Sequence, residues 1–122
     1  MTAACLKFLY EAGRPIWPWK QRGRGLLAEA FPAAQLCNWK LPYQGYSRRT
    51  DGETKTRCEI VAAISDRIDL ATFRQTVEQC ADALDAVICA FAAMAVADGD
   101  VLFYADEQMQ TEGLIVVHPD SR

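Results

Sequence analysis

Residues 81–97 have the sequence Ala-Asp-Ala-Leu-Asp-Ala-Val-Ile-Cys-Ala-Phe-Ala-Ala-Met-Ala-Val-Ala, and this stretch decides the fold. Alanine, leucine and methionine are strong helix formers. The spacing i, i+3, i+4, i+7 that marks one face of a helix is followed by Leu84, Val87, Ile88, Phe91, Met94 and Ala95. The opposite side consists of Ala and Cys, so the stretch is apolar nearly all round. We therefore predict a buried helix over Ala81–Ala97, which Asp98-Gly99-Asp100 ends.

The rest of the chain supports an α/β class with few strands. Leu26–Phe31 is a short apolar run closed by Pro32 and predicts the one convincing core strand before the long helix. Further helices are predicted at Thr2–Ala12, Ala33–Trp39, Thr54–Arg67 and a segment through Phe73 and Val77 that Asp69 could cap, and short extended segments at Val101–Tyr104 and Leu114–Val117. A compact α/β domain normally has a sheet of several strands. Either the chain is a fragment of a longer domain, or another chain completes its sheet.

Charge is unevenly distributed along the 122 residues, although the formal net charge is only −3. Residues 1–60 contain ten Lys and Arg and five Asp and Glu, a net of +5. Residues 61–122 contain three Arg and eleven Asp and Glu, a net of −8. This asymmetry could separate a phosphate-facing side from a metal-binding side, but the two halves could equally neutralise each other in one fold.

Cysteine and histidine usage excludes several classes of site. The five cysteines lack the C-x-x-C spacing of a zinc site, and their odd number favours reduced thiols of an intracellular protein. A metal site rich in histidine is excluded, because His118 is the single histidine. A Ser-His-Asp triad would have His118 as its one candidate. No targeting segment is visible, and the longest apolar run, Ala86–Ala97, is shorter than the roughly 20 residues that span a bilayer. We expect a cytoplasmic protein without a membrane span.

Three carboxylates are candidates for chemistry. Asp82 and Asp85 lie three residues apart at the start of the predicted long helix, a spacing that puts both on one face. Two neighbouring carboxylates with several waters suit Mg²⁺, but acidic residues in a first helical turn also complement the helix dipole. Glu29 interrupts the apolar run of the predicted strand. A carboxylate there either points to solvent on an edge strand or serves a site.

Four segments, taken in order, resemble the second half of a predicted nuclease family, domain of unknown function 429. They are Ala28–Ala34, Gly45-Tyr46 followed by Arg57, Asp82–Ala86, and Glu112–Pro119. The segment Asp82-Ala83-Leu84-Asp85-Ala86 also resembles the start of the last helix of RuvC-like Holliday-junction resolvases, which have a ribonuclease H-like fold. The resemblance covers about residues 24–119. It implies a single, partial ribonuclease H-like domain over residues 1–122.

The resemblance implies metal-dependent cleavage of phosphodiesters, with Glu29, Asp82 and Asp85 as catalytic residues and ligands of Mg²⁺ or Mn²⁺. The chain departs from the family pattern at Ser47, where a basic residue is common. The family's site also needs an aspartate on the first strand of the sheet, upstream of the part that the chain resembles. We therefore expect a weak or inactive fragment that lacks an N-terminal half. The alternative is a non-enzymatic fragment that acts as a binding or oligomerising module, with a homo-oligomer as one form.

Basic residues between the strand and the long helix are candidates for contact with nucleic acid. They are Arg48, Arg49, Lys55 and Arg57. Arginine and lysine neutralise backbone phosphates in such contacts. A solvated loop explains the same residues equally well, and the pattern does not distinguish DNA from RNA.

Overall fold

The computed structural model describes residues 3–19, 25–101 and 113–119. The chain divides into two compact units, one formed from Met1–Glu29 and Phe103–Ile115 and the other from Ala30–Leu102 and Val116–Arg122. The length-based expectation of a single domain stays a prediction. The described residues form a mixed α/β structure in which helices predominate. No helix among them is long and apolar enough to cross a membrane.

The first unit contains helix α1 (Ala3–Ala12), as predicted, and an extended segment after it. Ile16 and Leu27 form an isolated parallel bridge, in which the Trp17 N–H donates to the Leu27 carbonyl at 2.8 Å. Trp17 is buried, and the peptide bond between Trp17 and Pro18 is cis. The side chain of Trp19 covers Gly113, where an added Cβ would lie 3.0 Å from the indole. A side chain at that position would need the exposed Trp19 ring to shift by a few tenths of an ångström, and the positive φ of 88° favours glycine there.

The predicted strand Leu26–Phe31 is much shorter in the structure. Strand β1 comprises only Glu29–Ala30 and pairs in parallel with β2 (Ile115–Val116). The prediction of a buried strand is wrong at its end, because Glu29 is exposed and Phe31 is 55% exposed. Pro32 starts the next helix directly, and a helix start at proline is favoured because its fixed φ suits the first turn. Of the two predicted C-terminal strands, the second is confirmed, and residues 102–104 of the first lie outside the described residues.

The second unit is helical: α2 (Pro32–Asn38), α3 (Asp51–Ile64), α4 (Arg74–Gln79) and α5 (Ala81–Asp98). Helix α3 begins three residues before its predicted start, because the Thr50 hydroxyl accepts a hydrogen bond from the Glu53 N–H at 3.3 Å and caps the helix. Asp69 does not cap a helix through Phe73 and Val77 as expected, because α4 begins after Phe73 without a side-chain cap. Asp69 instead accepts from the Ala71 N–H at 2.9 Å in the 3-10 turn Ala71–Phe73. The core is formed by Leu36, Trp39, Tyr46, Ile60, Val61, Ile64, Val77, Leu84, Ile88 and Phe91.

Helix α5 confirms the predicted helix but not its burial on all sides. Its buried face consists of Leu84, Ile88, Phe91, Ala92 and Ala95. Met94, assigned to the buried face from the sequence, is 50% exposed, and Ala90 and Ala93 are exposed beside it. Alanine offers little apolar area, so an alanine-rich side gains little from being covered. The large side chains of one face therefore determine how the helix packs. Gly99, at φ 72°, ends it as predicted.

The segment after β2 is held against α2 by Gln35. This side chain is 1% exposed; its amide nitrogen donates to the His118 carbonyl at 3.0 Å, and its amide oxygen accepts from the His118 N–H at 2.6 Å. The amide thus pairs with one residue as a neighbouring strand would. Asn38 donates to the same carbonyl at 3.1 Å. The His118 ring packs edge-on against Trp39 and Phe91.

Replacing Gln35 by Leu should lower the free energy of unfolding by about 2 kcal/mol, because the His118 N–H loses its acceptor and the His118 carbonyl keeps only the donor from Asn38. An unsatisfied buried donor costs about 1–3 kcal/mol. Urea denaturation measures the change. Gln75→Leu, at an exposed position of α4, is the matched control and should stay within about 0.5 kcal/mol of the wild type. Equal effects of the two substitutions would contradict the role of Gln35.

Candidate functional site

Asp82 and Asp85 lie one turn apart at the start of α5, as the sequence predicts. Asp82 is exposed and belongs to the first turn, where it complements the helix dipole. Asp85 is half-buried and lies beyond the first turn. The helix starts after Cys80, which contributes no side-chain cap. The dipole therefore explains Asp82, but Asp85 needs another explanation.

Asp85 is held by a tyrosine from a distant part of the chain. The Tyr46 hydroxyl donates a hydrogen bond to Oδ1 of Asp85 at 2.9 Å. Tyr46 is buried in the core cluster, and Gly45 before it has φ 68°, a left-handed conformation that glycine adopts without strain. The Gly45-Tyr46 pair and the Asp82–Ala86 segment, recognised separately in the sequence, thus meet at one point. From the sequence, Tyr46 is notable only as part of the Gly45-Tyr46 pair.

Burial raises the pKa of the Tyr46 hydroxyl well above its usual range, and the hydrogen bond and negative charge of Asp85 raise it further. The phenol therefore keeps its proton at neutral pH and acts as a permanent donor to the carboxylate. Burial also raises the pKa of Cys89, one turn after Asp85, with a smaller contribution from the Asp85 charge. Cys89 is thus a neutral thiol and not a reactive one. Cys89 is only partly buried, and Cys37 is exposed.

Arg57 belongs to the interior and not to a surface for nucleic acid. It is 1% exposed, and its guanidinium donates to four main-chain carbonyls and one hydroxyl. Nε donates to Glu78 at 2.8 Å, Nη1 to Tyr46 at 2.5 Å and Arg48 at 2.9 Å, and Nη2 to Thr54 Oγ1 at 2.8 Å and Gln79 at 3.5 Å. The five N–H groups of the guanidinium are therefore occupied. The predicted contact of Arg57 with phosphate would need N–H donors that the protein itself already engages. Arg57 is therefore no longer a candidate for nucleic-acid binding.

The other candidate residues for nucleic acid are exposed. Arg48 and Arg49 follow Tyr46 by two and three residues, and Lys55 lies on α3. A chain advances at most about 3.6 Å per residue. The Cα atoms of Arg48 and Arg49 therefore lie within about 7 and 11 Å of the Tyr46 Cα. Two exposed guanidinium groups therefore lie in the same loop as Tyr46.

Glu29 lies in the first compact unit, whereas Asp82 and Asp85 lie in the second. Their convergence at one site stays a prediction. Among residues 3–19, 25–101 and 113–119, no group of three or more His, Cys, Asp or Glu side chains is arranged to hold a metal ion. The hard oxygen donors of Asp82 and Asp85 match in kind what Mg²⁺ and Mn²⁺ prefer. The structure therefore supplies two potential ligands from α5, one of them oriented by Tyr46.

Comparison with known proteins identifies the family of the chain. Neither the curated proteins nor the solved structures contain a significant match to the chain. A family model described as "Protein of unknown function (DUF429)" matches residues 3–109. The match starts earlier than the resemblance predicted from the sequence and includes α1, whereas the Glu112–Pro119 segment lies beyond it. The chain therefore belongs to the DUF429 family of proteins of unknown function.

Proposed function

We propose that the chain carries part of the metal site of a phosphodiester-cleaving nuclease with a ribonuclease H-like fold. Asp82 and Asp85 hold a divalent cation, Mg²⁺ or Mn²⁺, at the start of α5. The observation that carries the proposal is the 2.9 Å hydrogen bond from the Tyr46 hydroxyl to Asp85. A bound cation would supply charge stabilisation and water activation for an attack on phosphate.

The hydrogen bond favours a site over a purely structural role for the pair. A carboxylate that only complements the helix dipole needs no further donor, and the dipole effect falls off after the first turn. Asp85 lies beyond that turn, yet a buried phenol orients it through Oδ1. Hydrogen bonds of this kind hold metal-ligating carboxylates in position, and their loss typically costs about 10–100-fold in metal affinity.

Nucleic acid is the proposed substrate because of the charges in the loop that carries Tyr46. The exposed residues Arg48 and Arg49 follow Tyr46 by two and three positions in this loop. Guanidinium groups bind phosphate oxygens in a bidentate manner. A phosphodiester held by these residues would bring its phosphate towards the carboxylates of α5.

A cytoplasmic location is also part of the proposal. Cys37, Cys58, Cys80 and Cys89 are free thiols in the structure. Free thiols are usual in the reducing environment of the cytosol, whereas disulfides persist in oxidising compartments.

Titration of the chain with Mn²⁺ tests the metal site. Paramagnetic broadening should start at the amide resonances of residues 82–86, and calorimetry should give weak binding, because two carboxylates leave most of the coordination sphere to water. The double variant Asp82→Asn/Asp85→Asn should abolish the localised broadening. Asp98→Asn/Asp100→Asn is the matched control at the opposite end of α5 and should leave it unchanged. Equal broadening in wild type and in Asp82→Asn/Asp85→Asn would refute the site and favour a binding module.

Nuclease assays test the activity itself. With Mn²⁺ and labelled single-stranded, double-stranded and branched nucleic acids, we expect little or no cleavage by this chain. An ion held by an incomplete set of ligands is displaced, and a displacement of about 1 Å can cost a hundredfold in rate. Robust turnover that the Asp82→Asn/Asp85→Asn variant abolishes would show instead that the chain is a self-sufficient nuclease.

A further inference from the structure

The guanidinium of Arg57 connects two segments that are distant in sequence. On one side it binds the carbonyls of Tyr46 and Arg48, in the loop before α3. On the other side it binds the carbonyls of Glu78 and Gln79, at the end of α4. Helix α5 begins at Ala81, two residues after Gln79. The side chain therefore joins the loop that carries Tyr46 to the junction from which the acidic pair starts.

The partners of Arg57 are neutral. Its hydrogen bonds go to main-chain carbonyls and to the Thr54 hydroxyl, and no ion pair of Arg57 occurs among the described residues. A fully buried charge is costly unless hydrogen bonds compensate for it. An apolar residue would fill the interior without the cost of removing a charge from water. What the guanidinium adds is a rigid, planar fork that fixes several acceptors at once.

We propose that Arg57 is a positioning residue. It holds Tyr46 so that the Tyr46 hydroxyl donates to Asp85, and it thereby orients one of the two proposed metal ligands. The proposal rests on the proposed metal site for its function, but its geometric part is independent of metal. The route is continuous: Nη1 of Arg57 holds the Tyr46 carbonyl, and the hydroxyl of the same tyrosine holds the Asp85 carboxylate. The carbonyls of Glu78 and Gln79 fix the helix start against that loop.

A residue that only stabilises the core would predict something different. Loss of core stability changes the fraction of folded protein but leaves the geometry of the remaining folded molecules unchanged. A positioning role predicts that the carboxylate environment of Asp85 changes in molecules that are still folded. The two roles are therefore separable by a local spectroscopic signal recorded on folded protein without metal.

The signal is the carboxyl ¹³C resonance of Asp85 in protein labelled at aspartate, assigned by its absence in Asp85→Asn. Tyr46→Phe removes the hydrogen bond and defines the shift that its loss produces. We expect Arg57→Lys, which keeps the charge but loses the fork, to move the resonance in the same direction. Thr54→Val, which removes one acceptor of Nη2, should give a smaller shift. The control Thr56→Val, whose hydroxyl bonds the Gly52 carbonyl instead, should give none.

A wild-type Asp85 resonance in folded Arg57→Lys and in Thr54→Val would overturn the proposal. If Arg57→Lys does not fold, Thr54→Val decides, since it perturbs the same guanidinium more mildly. In a second arm, Mn²⁺ affinity should fall about 10–100-fold in Tyr46→Phe and in Arg57→Lys, and stay unchanged in Thr56→Val. Absence of Mn²⁺ binding by the wild type would refute the metal site alone, because the metal-free resonance still tests the role of Arg57.

Discussion

Phe91→Ala should lower the free energy of unfolding by about 3–5 kcal/mol, the range found for large-to-small changes at buried aromatic positions. Phe91 is 3% exposed in the middle of the buried face of α5. Its ring meets Trp39 edge-to-face, with ring centroids 5.0 Å apart, and the His118 ring at 5.8 Å. Removing the ring leaves a cavity between α5, the end of α2 and the segment after β2.

Chemical denaturation followed by circular dichroism measures this loss. Met94→Ala is the control on the same helix, because Met94 is half-exposed and its truncation should cost less than about 1 kcal/mol. The sequence assigned both residues to one buried face, so the contrast also tests how the structure divides that face. A loss of similar size in both variants would mean that the side of α5 bearing Met94 is covered.

Arg57→Leu should destabilise the fold by about 3 kcal/mol. Replacing a buried ion pair by apolar residues is often neutral, because both partners are removed together. That compensation is absent here, since the acceptors of Arg57 are main-chain carbonyls that remain after the substitution. The carbonyl of Tyr46 is buried, and hydrogen bonds to charged groups contribute about 1.5–3 kcal/mol each. Water can replace only those partners that lie near the surface.

Urea denaturation again provides the measurement, with Arg49→Leu as the matched control. Arg49 lies in the exposed loop before α3, so its replacement should change stability by no more than about 0.5 kcal/mol. If the Arg57→Leu variant is as stable as the wild type, the structural role derived from the hydrogen bonds of Arg57 is contradicted. A loss of stability in Arg57→Lys that is smaller than in Arg57→Leu would show that the positive charge contributes separately from the planar guanidinium geometry.

The sequence by itself determined the helices of this protein and the place of the acidic pair. Helix α5 follows from residue propensities and from the spacing of Leu84, Ile88 and Phe91, both of which act within a few turns of the chain. Its end at Gly99 follows from local backbone chemistry. The predicted strand failed where local signals were short: Leu26–Phe31 contains too few residues to show a period, and Pro32 redirects the chain at once.

Only the tertiary structure decided which side chains meet. Tyr46 and Asp85 are 39 positions apart, and Gln35 and His118 are 83 apart, so no local pattern connects them. Arg49 and Arg57 are the same residue type in neighbouring segments, yet one is exposed and the other is buried with its donors engaged. The difference arises because the loop before α3 and the end of α4 each place two carbonyls around Arg57. Such contacts depend on how the chain folds back on itself, and sequence spacing contains no measure of that.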